Sequence, residues 1–151
     1  MTAGAEPVPE QLEALDAWLA AREARHDDLR EETDERIVWA AGERRRTPLS
    51  IVYLHGFSAS RRETAPLCDR MAEALGANLF YARLAGHGRS PEAMGEATVA
   101  DWLDDAQRAW SLGTRLGQRV AFVGTSTGGT LATLFASRCA DPRLAALMLI
   151  A

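Results

Sequence analysis

Four stretches of this chain are apolar at nearly every position over the length of a strand, and helix-length segments separate them. The strand candidates are residues 49–54, 78–84, 119–123 and 144–150, and Ile51-Val52-Tyr53-Leu54 and Ala121-Phe122-Val123 show the pattern most fully. A strand with one wet face alternates polar and apolar residues, whereas a continuous run needs cover on both faces, as in a parallel sheet. The intervening segments 63–75, 99–116 and 127–138 are long enough to be the covering helices. The expected fold class is therefore α/β, a mostly parallel sheet with flanking helices. Thr98, followed three residues later by Asp101, predicts a cap at the start of the second helix.

Ahead of this pattern, Leu12, Leu15, Trp18 and Leu19 recur at helical spacing and predict an N-terminal helix within residues 10–25. The charged run from Arg22 to Arg36 reads as a solvated face and connector, and residues 37–40 as a short strand. Arg44-Arg45-Arg46 then reads as the tip of a hairpin. This divides the chain into an N-terminal helix with its connector, residues 1–36, and a core from residue 37 to 151.

Charge and composition exclude several functions. A net charge of −4 with both signs interspersed leaves no basic face for nucleic acid. The two cysteines, Cys68 and Cys139, are too few and too far apart for a disulfide scaffold or a zinc cluster and are expected as free buried thiols. Met1–Glu10 has neither the basic start nor the apolar run of a secretory leader, and no stretch approaches the ~18 apolar residues of a membrane span. A cytoplasmic location without a stable membrane anchor is the expectation.

The chemistry centres on Gly124-Thr125-Ser126-Thr127-Gly128, a G-x-S-x-G sequence with a strand candidate before it and a helix candidate after it. That context marks a nucleophile elbow, in which the backbone reverses sharply to lift the serine hydroxyl above the sheet. Gly124 and Gly128 remove the side chains that would collide across the turn. The start of the helix directs backbone N–H groups toward a developing oxyanion, and Thr127 N–H follows the nucleophile directly. A phosphate-binding loop is excluded because the chain contains no lysine. A second oxyanion donor is expected from the turn after residues 49–54, where His55-Gly56-Phe57 stands. Phe57 N–H is the candidate, and Gly56 lets the backbone approach a substrate closely.

With these residues in view, the chain resembles the N-terminal half of an α/β-hydrolase, nearest to the esterase and monoacylglycerol-lipase-like branch. His55-Gly56-Phe57, Gly86-His87-Gly88-Arg89-Ser90 and Gly124 to Gly129 carry the resemblance, within residues 49–151. It implies hydrolysis of a small carboxylic ester through an acyl-enzyme on Ser126, with no metal and no cofactor. It also implies a cap inserted after the last strand, followed by a triad acid and a histidine. His26, His55 and His87 all precede Ser126, so none occupies the expected position of the base. His55 is expected to order the oxyanion turn by hydrogen bonding, His87 to be a structural turn residue, and His26 to be solvated. The last run, residues 144–150, is apolar on both faces and would leave an open edge suited to self-association. The expectation is therefore a serine ester hydrolase represented here by its front portion, with the cap and C-terminal half outside the chain. The alternatives are a non-catalytic acyl-binding or self-associating module and one half of a split hydrolase. Trp102 and Trp110 are expected to pack within the second helix's interface rather than to line a substrate wall.

Overall fold

In the computed structural model, which describes residues 7–151, the apolar runs become the interior of a five-stranded sheet in the order β1-β3-β2-β4-β5. The first six residues of the acidic start, read above as carrying no leader, lie outside the described residues. The strands are β1 (Arg36–Val38), β2 (Thr47–Leu54), β3 (Asn78–Tyr81), β4 (Gly117–Thr125) and β5 (Leu144–Ile150). The helices are α1 (Leu12–Glu23), α2 (Ala65–Leu75), α3 (Pro91–Glu96), α4 (Val99–Leu116) and α5 (Thr127–Arg138). β2 to β5 run parallel, and β1 alone is antiparallel, paired with β3.

Alternation along the central strands serves two cores. Val52, Leu54, Phe80 and Phe122 face one side with Leu15 and Leu19 of α1 and Ala109 and Leu112 of α4. Ile51, Tyr53, Leu79, Tyr81 and Val123 face the other, against Cys68 and Ala72 of α2. Both faces of β2 are thus covered, which is why Ile51 to Leu54 is an unbroken apolar run, and the buried Ser50 before it donates to the Gly113 carbonyl. Trp110 stacks on Phe122 and contacts Phe135, tying α4 to β4 and α5. The Thr98–Asp101 cap forms as a reciprocal pair, with side chain to backbone in both directions.

Three expectations are corrected. Both cysteines are free, but only Cys68 is buried, while Cys139 at the end of α5 is half-buried. The arginine triplet is not a hairpin tip, because β3 lies between β1 and β2 and the chain must cross it. The Asn78 side chain secures that crossing: it accepts Ala40 N–H and donates to the Arg45 and Leu116 carbonyls. Nor is the charged run between α1 and β1 simply solvated, since Glu23 and Glu35 are buried. α3, only six residues with a glycine inside, was not read from the sequence.

Candidate active site

Ser126 stands between the end of β4 and the first turn of α5, at φ 48° and ψ −111°. That conformation is costly for a residue with a side chain and is held by the surrounding structure. Two fixings are visible: Ser126 N–H donates to the Ile150 carbonyl at 3.0 Å, and its carbonyl accepts Thr130 N–H at 2.9 Å. The side chain is exposed. The glycines are there for space. A Cβ on Gly124 would lie 2.6 Å from the Gly129 backbone, and one on Gly128 would run into the Leu54 and His55 carbonyls. The elbow thus threads α5 past the end of β2, whose Leu54 pairs with Gly124 across the sheet. Thr127 opens α5, so its N–H has no acceptor within the helix. Beside Ser126, a groove of about 580 Å³ runs along Gly129, Thr130 and Thr133 to Leu149 and Ile150.

The turn after β2 is built from its own side chains. His55 is fully buried and accepts Leu84 N–H on Nε2 at 3.0 Å. Nδ1 therefore carries the proton and donates to the Gly56 carbonyl, 2.8 Å away. Burial lowers the imidazole pKa to about 4, which keeps the ring neutral at pH 7. Every peptide here is trans, so the Gly56 carbonyl and Phe57 N–H point in opposite directions. Fixing that carbonyl fixes the aim of Phe57 N–H. The preceding N–H, of Gly56, is held by the Glu63 carboxylate at 3.0 Å. Glu63 also accepts the Tyr53 hydroxyl, which in turn meets the Thr125 hydroxyl next to Ser126.

His87 sits against this turn, its ring 4.8 Å from His55 and 5.7 Å from Phe57. It is 1% exposed, Nδ1 donates to the Ala85 carbonyl, and burial lowers its pKa. Trp102 contacts Phe57 and His87 and donates to the Ala85 carbonyl. Its packing therefore belongs to this loop as well as to its helix. Sequence reasoning named Ser126, Gly56, Phe57, Thr127, Gly124 and Gly128, and the fold brings all of them to the carboxyl ends of β2 and β4. It missed Glu63, which stands in no recognisable motif, and it read Trp102 as a packing residue without placing it against Phe57. Among the described residues no group of three His, Cys, Asp or Glu side chains could hold a metal. No helix among them is long and apolar enough to cross a membrane.

Comparison with known proteins agrees with this arrangement. The family model described as Serine aminopeptidase, S33 matches residues 46–151, more than two thirds of the chain. Among solved structures, one reported for the metagenome-derived lipolytic enzymes LipS and LipT is 24% identical, with a TM-score of 0.70 over 80% of this chain and 46% of that one. MenH from S. aureus is 22% identical, with a TM-score of 0.58 over 76% of this chain and 41% of that one. An α/β hydrolase from Novosphingobium aromaticivorans is 22% identical, with a TM-score of 0.51 over 77% and 43%. No curated protein sequence matches the chain. The chain spans less than half the length of these solved structures. Elbow, oxyanion-side turn, sheet order and family match converge: the chain belongs to the Serine aminopeptidase, S33 family of α/β hydrolases.

Proposed function

We propose that this chain carries the nucleophile and the oxyanion donors of a serine hydrolase acting on small carboxylic esters. The observation that carries the reading is the strained, exposed Ser126 beside a turn in which His55 holds the Gly56 carbonyl and Glu63 holds the Gly56 N–H. In this reading, Ser126 Oγ attacks the ester carbonyl carbon and loses its proton to a base. The carbonyl oxygen becomes an oxyanion held by the N–H groups of Phe57 and Thr127. The C–O bond to the alcohol then breaks, the alcohol leaves with a proton, and the acyl group remains on Ser126. Water attacks that acyl-enzyme to release the acid and restore the hydroxyl.

The base is neither His55 nor His87. Both ring nitrogens of His55 are committed to backbone groups, and burial opposes protonation of both rings. The proposal therefore places the acid and the histidine outside these 151 residues, in keeping with the share of the solved structures that the chain spans. LipS and LipT, described as lipolytic enzymes, favour esters as the substrate class. A cytoplasmic setting belongs to the same reading and suits two free thiols, Cys68 and Cys139.

The test is hydrolysis of a short-chain p-nitrophenyl ester by the whole gene product. Turnover should disappear in Ser126→Ala, and a fluorophosphonate should label wild type only. The 151 residues alone should give no turnover above that variant. Turnover that survives Ser126→Ala, or a whole gene product that cleaves no ester, would overturn the proposal.

A further inference from the structure

The charged segment between α1 and β1 makes an unusual set of contacts. Arg83, at the end of the β3 run, donates twice to the buried Glu23 carboxylate, at 2.9 and 2.7 Å, and once to the His87 carbonyl. Asp28 accepts Arg89 Nε at 2.8 Å and Ser90 N–H at 3.1 Å. Arg30 N–H and the Thr33 hydroxyl both reach the Gly88 carbonyl. Asp34 binds Arg61 through its carboxylate, at 2.9 Å, and through its carbonyl. Every one of these contacts ends on residues 83–90 or on the 3₁₀ turn Arg61–Glu63. These are the two loops that flank Phe57.

Gly88 supplies an independent sign of the same fit. It lies at φ +69°, and a Cβ there would come within 2.8 Å of the Thr33 Cβ. Residue 88 is a glycine because this segment passes directly over it.

We propose that residues 23–35 are a strap that holds the oxyanion turn in register, with Glu23 and Asp34 as positioning residues for the Gly56–Phe57 peptide. One route runs from Asp34 through Arg61 to the 3₁₀ turn whose Glu63 carboxylate grips Gly56 N–H. The other runs from Glu23 through Arg83 to the 84–88 loop. That loop's Leu84 N–H fixes the His55 ring, and its His87 packs on Phe57. All the strap residues precede residue 46, where the family match begins, so the likeness to the family does not extend to them.

The experiment uses the whole gene product with Thr33→Ala and Asp34→Asn combined, which removes the Thr33 hydroxyl contact and the Asp34 charge while leaving the Asp34 carbonyl as an acceptor for Arg61. Amide hydrogen exchange at residues 55–59 and 84–89 should quicken roughly three- to tenfold while the amides of β2 and β4 stay unchanged. Thr33→Ser, which keeps a hydroxyl, should exchange like wild type. Unchanged loop exchange, or an equal rise in β2 and β4, would overturn the strap. The catalytic consequence rests on the ester-hydrolase reading: the double variant should lose several-fold in kcat with KM unchanged, because oxyanion donors act in the transition state. If the whole gene product shows no Ser126-dependent turnover, that reading fails, and the exchange data alone still decide the strap.

Discussion

Ser126 occupies the mirror image of an ordinary extended conformation, a region open to glycine and strained for every other residue. Holding a serine there costs stability. Ser126→Gly should raise the unfolding free energy by about 1 kcal/mol in urea titrations, whereas Ser126→Ala, equally strained, should not. His55 makes a different prediction. An unfolded histidine takes up a proton near pH 6.5, while the buried ring refuses it until about pH 4. The unfolded state therefore binds more protons across that window, and stability falls as the pH drops through it, by on the order of 3 kcal/mol. Burial of His87 acts in the same direction. Urea midpoints between pH 7 and pH 4.5 should show the decline, and His55→Gln should flatten it. The sharp turn at Ser126 and the space its glycines leave were legible from sequence because local backbone geometry demands both. Glu63 was not, because its part depends on a carboxylate folding back over a turn that begins seven residues earlier.

The strands were legible for a physical reason: the middles of β2 and β4 are covered on both faces, so Ile51 to Leu54 and Val120 to Val123 had to be apolar. α4 and α5 run over the residues expected of them. The short strand expected at residues 37–40 forms as β1 at Arg36–Val38, and its partner is β3 rather than the strand across a hairpin. Three residues carry no information about which strand they join, and the choice of β3 was made by the Asn78 side chain and the crossing it secures. α4 allows a clean test of its own. Its capping box satisfies the N-terminal N–H groups on an exposed surface, so Thr98→Ala should lower stability by about 1 kcal/mol with no change in ester turnover. Denaturant unfolding measures the first and a nitrophenyl assay the second.

Across the full chain, an ionic cluster joins the N-terminal segment to the core. Glu35, nearly inaccessible, pairs with Arg108 at 2.5 Å, and Arg108 also holds Asp105, whose other oxygen accepts Ala85 N–H. Burial raises the Glu35 carboxyl above the usual range despite Arg108. Burial works against the Arg108 charge too, but Glu35 and Asp105 outweigh it. Arg108→Met would leave Glu35 without its strongest partner and should cost about 3–5 kcal/mol, with Glu35→Gln in the same chain restoring part of it. Denaturant midpoints of the single and double variants decide. No sequence window could have shown that Glu23 and Glu35 are buried, because their partners Arg83 and Arg108 lie 60 and 73 residues further on. That separation has a consequence during synthesis. The N-terminal segment leaves the ribosome long before α4 exists, so its carboxylates wait in water without their arginines. The charges that later lock the segment down are the same ones that keep it dispersed until then. The proposed strap can close only after the loops it grips have been made, so a segment translated ahead of those loops docks after them.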